Sequence, residues 1–229
     1  MKNTGHRRAI TIFPASHTGA LAIAVLAAAL FGAFALRAQG PDTKISPAPA
    51  GPAQILELHI GDEIEPVMAE YVDNGIEEAA RLHASLVLIT MDTPGGLSTS
   101  MEDIIHHILD SPVPVAIYIS PDGSRGASAG FFILESADIA AMAPGTHTGA
   151  ASPLLAIGGV PLQVDETLKK KILNDATAFL RSYSAKRGRN VELAESAVVD
   201  GKAWTETEAL DGKLIDLIAN SPEDLLSKL

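Results

Sequence analysis

The sequence of 229 residues contains no cysteine. This absence excludes a disulfide framework, a thiolate nucleophile and a cysteine-based metal site. The seven histidines form no H-E-x-x-H pair, and the adjacent His106 and His107 point in different directions on a helix, which is typical of a solvated pair. We therefore expect no metal, and any nucleophilic chemistry must use oxygen or nitrogen.

Positive charge is also scarce. Lysine and arginine number 17 against 28 for aspartate and glutamate, which gives a net charge of −11. Four of the cations and no acid lie in the first forty residues, so the remainder carries −15. A body this acidic, without a basic stripe, argues against a nucleic-acid partner. The sequence also has no Walker-type nucleotide loop, and we expect no cofactor.

The N-terminus has the pattern of an export signal. Lys2, Arg7 and Arg8 precede an uncharged, apolar run over residues 18–36. Ala33 and Ala35 form an A-x-A-like cleavage site, while the run also approaches the ~20 residues that span a bilayer. Residues 1–38 are thus predicted to be either a cleaved signal peptide or a retained membrane anchor.

A linker rich in Pro, Ala and Gly is predicted over residues 39–54, between this segment and the body of the chain. Because the basic end of a signal stays in the cytoplasm, we expect the body to be exported. It would then lie in the periplasm or at the outer face of the cytoplasmic membrane, anchored or released.

The remaining residues, 55–229, read as one α/β domain. Predicted strands at 55–60, 86–90, 113–119 and 138–142 alternate with helices at 66–83, at 98–109 and from about residue 127. Alternation of this kind predicts a parallel sheet covered by helices on both faces. Chemistry in such sheets collects at the loops that leave the carboxyl ends of the strands.

Two of these loops are unusual. Asp92-Thr93-Pro94-Gly95-Gly96 directly follows a predicted strand, and its two glycines allow backbone N–H groups to face a ligand. The alternative is a simple turn between strand and helix. In the second loop, Gly126-Ala127-Ser128-Ala129-Gly130, a serine stands at the start of a helix, where unpaired N–H groups stabilise developing negative charge. The alternative there is a helix N-cap or close helix packing.

The second loop also satisfies G-x-S-x-G, the nucleophile-elbow pattern of α/β-hydrolases. That fold requires an acid and then a histidine after the serine. The only histidine after Ser128 is His147, nineteen residues on, which is too close for the elements that separate these groups in that fold. An esterase of that class is therefore disfavoured.

Several motifs in order resemble the protease domain of the NfeD family, membrane-bound serine proteases related to ClpP and to signal peptide peptidase A. They are DTPGG, SPVPVAIYISPDGSRGASAGFFILESAD, AMAPGTHTGAASP, KKKILNDATAFLRSYSAKRGRN and TETEALDGKLIDLIA. The resemblance implies a ClpP/crotonase-like fold and serine endopeptidase activity with a Ser-Lys dyad. It matches Ser128 to the nucleophile, Lys171 to the base, and Gly95 or Gly96 with the N–H of Ala129 to the oxyanion hole.

The same resemblance implies cleavage in apolar segments of membrane-associated proteins, with stomatin-like partners and a homodimer or larger assembly. Two other functions remain as alternatives: a catalytically silent binding module of this fold, and crotonase-like acyl-CoA chemistry. The second is disfavoured by the export signal, because coenzyme A is a cytoplasmic cofactor.

The base has more than one candidate. A lysine can accept the serine proton only when it is desolvated and neutral. Lys169, Lys170 and Lys171 lie on one predicted helix, about 100° apart, so they cannot all face one site. Apolar periodicity favours Lys169, whereas the motif favours Lys171. His147 is a rival, although the alignment puts the histidine of ClpP near Ala151.

Overall fold

A computed structural model describes residues 54–154, 156–157 and 160–229. The predicted signal or anchor segment, residues 1–38, and nearly all of the linker lie outside the described residues. Among the helices that are described, none combines the length and the apolar character needed to cross a bilayer.

Five parallel strands form the main sheet, in the spatial order β1-β2-β3-β5-β10. The strands of the chain are β1 (Ile55–Ile60), β2 (Leu86–Met91), β3 (Val115–Ile119), β4 (Arg125–Ala127), β5 (Ile139–Met142), β6 (His147–Gly149), β7 (Ala156–Ile157), β8 (Val160–Pro161), β9 (Ala203–Thr205) and β10 (Leu217–Ile218). The parallel order confirms the predicted α/β class.

Seven helices connect and cover these strands in the described part of the chain. They are α1 (Pro66–Arg81), α2 (Ser98–Asp110), α3 (Ala129–Ser136), α4 (Glu166–Ser184), α5 (Val191–Val199), α6 (Glu206–Asp211) and α7 (Pro222–Lys228). Asp165 caps α4, because its carboxylate accepts the N–H groups of Thr167 and Leu168.

The two faces of the main sheet bury unequal cores. Alternate side chains of the strands point to opposite faces. Ile60, Ile89 and Ile117 belong to the larger cluster, which includes buried residues of helices α1 to α6, among them Phe131 of α3. Leu88 and Tyr118 face the other way, toward a small cluster closed by Leu225 of α7.

A second, smaller sheet places the start of α3. Strand β4 runs parallel to β6, and β6 pairs antiparallel with β9. The sequence pattern does not predict this sheet, because strands of three residues are too short to show an alternating period. Its effect is to hold residues 125–127 beside the loop that follows β2, where the Thr93 N–H donates to the Arg125 carbonyl over 2.8 Å.

Candidate active site

The loop after β2 is fixed by its own buried threonine. The Thr93 hydroxyl donates to the carbonyl of Asp62 over 2.7 Å, and its oxygen accepts the N–H of Gly95 over 3.2 Å. The carbonyl of Thr93 accepts the N–H of Ala127 over 3.1 Å. The loop is therefore tied to the residue that precedes Ser128, and the two loops singled out by the sequence lie side by side.

Both positions of this loop require glycine, because neighbouring atoms lie too close to admit a Cβ. Gly95 has φ +119°, and a Cβ added there would lie 2.6 Å from the Cβ of Ser128. A Cβ on Gly96 would lie 2.3 Å from the carbonyl oxygen of Ile64. Among the described residues, no carbonyl or side-chain oxygen accepts the N–H of Gly96. The loop is thus more than a turn, because it leaves a free backbone donor next to the serine.

Ser128 lies between β4 and α3 in a conformation that few non-glycine residues adopt, with φ 54° and ψ −115°. Its N–H donates to the carbonyl of Gly149 over 2.9 Å, and its side chain makes no capping hydrogen bond to the helix. The N-cap alternative therefore does not describe this hydroxyl. A half-buried serine at a strained strand-to-helix turn has the geometry of a nucleophile elbow.

Gly96 and Ala129, which both carry a backbone N–H, line the same cavity as Ser128. The N–H of Ala129 belongs to the first turn of α3, where a helix supplies no acceptor of its own and where its dipole favours negative charge. The N–H of Gly95 is occupied by Thr93, which leaves Gly96 as the free donor of the glycine pair. The arrangement can stabilise an oxyanion formed at Ser128.

A cavity of about 330 Å³ opens directly from Ser128. Gly96 and Ala129 line it with the serine, and its apolar wall consists of Met101, Phe132, Ile172, Ala176 and Phe179. Its polar lining includes Glu102 of α2 and Asp175 of α4. These two carboxylates, and the aromatic residues of the wall, were not identified from the sequence, although the four-residue spacing from 175 to 179 marks one face of a helix.

None of the three candidate lysine bases lines the Ser128 cavity. Lys169, Lys170 and Lys171 are all exposed, so the desolvation that a lysine base requires is not provided by this chain without substrate. Lys171 is not among the residues that line the Ser128 cavity, but it lies one helical turn before Asp175, which does line it. Lys169 lines a second cavity of about 570 Å³, which shares the Ser152–Leu154 segment and Ile172 with the first.

None of the histidines that the structure describes lines the cavity of Ser128. His147 is exposed on β6 and is not among the residues that line it, whereas the buried Ala151 is. His106 is exposed, but Nε2 of the half-buried His107 lies 3.2 Å from Oδ1 of Asp73. No group of three or more possible metal ligands occurs in the part of the chain that the structure describes.

The sequence matches one family over most of its length. The model of the NfeD1b N-terminal domain matches residues 54–225. The membrane-bound protease PH1510 of Pyrococcus horikoshii is 35% identical over 156 residues, which is 68% of this chain and 35% of that protein. Membrane protein NfeD1b of Bacillus subtilis is 30% identical over 149 residues, 65% of this chain and 33% of that protein. The chain thus spans about a third of each relative's length.

Several solved structures have a fold similar to that of this chain. A mutant of the 1510-N membrane-bound stomatin-specific protease has a TM-score of 0.71 at 32% identity, over 76% of this chain and 84% of that one. A second mutant, in complex with a substrate peptide, also has a TM-score of 0.71, at 31% identity, over 76% of this chain and 79% of that one. ClpP1 of Listeria monocytogenes, at 18% identity and a TM-score of 0.59 over 74% of this chain and 94% of that one, shows the fold alone. The chain belongs to the NfeD1b N-terminal-domain family and has a ClpP-like fold.

Proposed function

We propose that the chain is a serine endopeptidase in which Ser128 is the nucleophile and Lys171 is the general base. The observation that carries the proposal is the strained conformation of Ser128, whose hydroxyl is not used as a helix cap and stands beside free backbone donors. Strain of about 1–3 kcal/mol persists at functional sites because the surrounding structure holds it.

The proposed mechanism has the following steps. Ser128 Oγ attacks the peptide carbonyl while its proton passes to the neutral lysine Nζ, and the N–H groups of Gly96 and Ala129 hold the resulting oxyanion. Collapse breaks the C–N bond, and the lysine ammonium returns the proton to the departing amine. Water then hydrolyses the acyl-enzyme with the same lysine as base. Gly95 contributes by leaving room, since a Cβ there would meet Ser128.

The relatives support this assignment. The two solved mutants of the stomatin-specific protease carry a serine-to-alanine and a lysine-to-alanine replacement, respectively. On α4, Lys171 shares a helical side with the cavity-lining Asp175. Lys169 remains the rival, because it lines the adjoining cavity.

The first experiment tests the nucleophile. The Ser128→Ala chain should fold and lose peptide hydrolysis, while Ser182→Ala, at an exposed serine on α4, should keep it. A serine-reactive phosphonate should label the unmodified chain at Ser128. Full turnover by a folded Ser128→Ala variant would remove this serine from the mechanism, and failure of labelling would favour a silent binding module.

The second experiment tests the base. Lys171→Ala should lose nearly all turnover, and Lys171→Arg should not restore it, because a guanidinium stays protonated. Lys170→Ala is the matched control on the far side of α4, and Lys169→Ala and His147→Ala test the rivals. Activity of the unmodified chain should rise with pH toward alkaline values, since only the neutral lysine accepts a proton. Full activity in Lys171→Ala together with a dead Lys169→Ala would transfer the role to Lys169.

We further propose that the substrates are apolar segments of membrane-associated proteins, among them a stomatin-like partner, and that the chain works as a homo-oligomer on the outer face of the membrane. The apolar wall of the Ser128 cavity and the names of the relatives support the substrate class, and the cationic N-terminus supports export. Fused after Gln54, a reporter that is active only in the cytoplasm should give no signal, and sedimentation of the purified chain should give a mass above that of one copy. A strong reporter signal would contradict export.

A further inference from the structure

Two arginines that follow α4 hold the C-terminal end of α3. Nε of Arg187 donates to the carbonyl of Ser136 over 2.8 Å, and Nη2 of the buried Arg189 donates to the carbonyl of Ala137 over 3.3 Å. A helix leaves its last carbonyls without partners of its own, and its dipole favours a positive charge at this end. The arginine pair, Arg187 and Arg189, therefore caps the helix that begins directly after Ser128.

Each member of the arginine pair is also bound to the main sheet through an aspartate. Arg187 pairs with Asp138, whose carboxylate accepts an N–H of β3 over 2.9 Å. Arg189 pairs with Asp216 over 2.6 Å, and the carboxylate of Asp216 accepts an N–H of β5 over 2.8 Å. Both guanidinium groups thus have fixed positions relative to the strands.

The arginine pair is attached to α4 by backbone hydrogen bonds. The N–H of Arg187 donates to the carbonyl of Tyr183, and the N–H of Arg189 donates to the carbonyl of Ser184, each over 3.1 Å. The hydroxyl of Tyr183 reaches α3 itself and donates to the carbonyl of Phe132 over 3.1 Å. The helix that carries the candidate lysine bases and the helix that follows the serine are therefore joined toward their C-terminal ends.

Nearer their N-terminal ends, the same two helices are separated by the Ser128 cavity. Ala129 and Phe132 of α3 line this cavity, and so do Ile172 and Ala176 of α4. Open space rather than packed side chains therefore lies between the helices at the end where the reaction would take place. The separation of the helices there depends on the angle at which they are held at the other end.

The length of α4 shows how sensitive this separation is. From Lys171 to Ser184 the helix runs for about 20 Å, so a tilt of about 3° about its C-terminal end moves the lysine by about 1 Å. Proton transfer from the serine requires heavy atoms about 2.6–3.2 Å apart, and a misplacement of about 1 Å can cost about a hundredfold in rate. A small loss of restraint at the arginine pair is thus large for the chemistry.

We infer that Arg187 and Arg189 are positioning residues for the peptidase, which fix Ser128 and Lys171 relative to each other by joining α3 to α4. The inference rests on the proposed function and adds two residues that act through other residues. A purely structural role would lower the free energy of unfolding and leave the turnover of each folded molecule unchanged. Positioning lowers kcat and changes KM little, because the residues that line the cavity stay in place while proton transfer loses its geometry.

The test uses the full chain with Arg187→Gln, Arg187→Lys and Arg189→Gln, each checked for folding by circular dichroism. The readouts are kcat and KM on an apolar chromogenic peptide, and the rate at which a serine-reactive phosphonate labels Ser128. Arg187 is the decisive position because it is partly exposed, whereas Arg189 is buried beside Glu135 and its replacement also alters that carboxyl group. Arg181→Gln is the matched control, since Arg181 of α4 pairs with a glutamate of α5 over 2.5 Å rather than with α3.

We expect Arg187→Gln to lower kcat and the labelling rate about tenfold, while KM changes less than about threefold. Arg187→Lys should lose only about threefold, because an ammonium keeps a cationic donor at the end of α3 without the fork that reaches Ser136 and Asp138 together. Arg189→Gln should lose at least as much as Arg187→Gln. Arg181→Gln should stay within about twofold of the unmodified chain, because it breaks only an exposed ion pair.

An unchanged kcat in folded Arg187→Gln would overturn the inference, because the arginine pair would then act on stability alone. An equal loss in Arg181→Gln would also overturn it, because a general change of charge on α4 would then be the cause. In both cases, Ser128-dependent hydrolysis by the unmodified chain would leave the peptidase standing. If the unmodified chain shows neither hydrolysis nor labelling at Ser128, the proposed function fails and this inference fails with it.

Discussion

Glu135 of α3 gives a direct test of the protein interior, because its carboxyl group is fully buried seven residues after Ser128. Neither of its oxygens has a hydrogen-bond partner among the described residues. Burial raises the pKa of Glu135 well above its ordinary value of 4.5, the Arg189 guanidinium opposes this shift, and Asp216 adds to it. The carboxyl group is therefore protonated in the folded chain at a pH where the unfolded chain has already released the proton.

The sign of the pH dependence follows from proton counting. A carboxyl group whose pKa is raised on folding stabilises the fold fully below pH 4.5, and this contribution is lost as the pH rises toward the folded pKa. The loss is about 1.4 kcal/mol per pH unit, the linkage value for one proton. Glu135→Gln keeps the shape and removes the titration. Above pH 4.5 the variant should thus gain free energy of unfolding relative to the unmodified chain, by at most about 1.4 kcal/mol per pH unit, until the pH reaches the folded pKa of Glu135.

Urea unfolding at half-unit steps from pH 5 to 9, followed by circular dichroism, measures this difference. The gain should grow linearly and then level off, and the pH at which it levels off gives the folded pKa of Glu135. Glu77→Gln, at an exposed glutamate of α1, is the control and should show no comparable slope. A stability difference between Glu135→Gln and the unmodified chain that stays constant across this range would refute the reasoning.

Three further substitutions test a residue of the candidate site and two contacts that stabilise the fold around it. Gly96→Ala should reduce kcat/KM by about a hundredfold or more with the fold retained by circular dichroism, because the new Cβ would lie 2.3 Å from the Ile64 carbonyl oxygen and displace the N–H group proposed as an oxyanion donor. Asp165→Ala should lower the free energy of unfolding by about 1 kcal/mol in a urea titration, since α4 loses its cap. Tyr118→Phe should cost about 1 kcal/mol in the same assay, because its hydroxyl donates to the buried Ala219 carbonyl over 2.7 Å.

The sequence predicts those features that depend on neighbouring residues. The parallel strands are recognisable in the sequence as short apolar runs. The Gly95-Gly96 pair and the small residues around Ser128 indicate loops in which two backbone segments approach each other closely. The boundaries shift slightly: the third strand begins at Val115 rather than 113, and α3 begins at Ala129 rather than about 127. The strained backbone conformation of Ser128 could not be predicted, because a serine before a helix looks the same in the sequence whether it is a nucleophile or an N-cap.

Features that depend on packing between distant segments of the chain could not be predicted from the sequence. Glu102 and Asp175 are ordinary exposed acids of amphipathic helices by their spacing. They line one cavity only because α2 and α4, which lie far apart in the chain, meet at His106 and Phe179. Glu135 was detectable in principle, since it stands in an apolar stretch and all eight residues of α3 are buried.

The complete burial of α3 also explains how the strained serine is maintained. The conformation of Ser128 costs about 1–3 kcal/mol, and two backbone hydrogen bonds, to Gly149 and from Phe131, hold it in place. Those bonds act only while α3 stays seated against the main sheet and α4. Burial of Phe131, Ile133 and Leu134, none of which is exposed, contributes about 1.5–3 kcal/mol for each side chain, which outweighs the strain. The apolar residues that follow Ser128 in α3 therefore also hold its hydroxyl beside the N–H groups proposed as oxyanion donors.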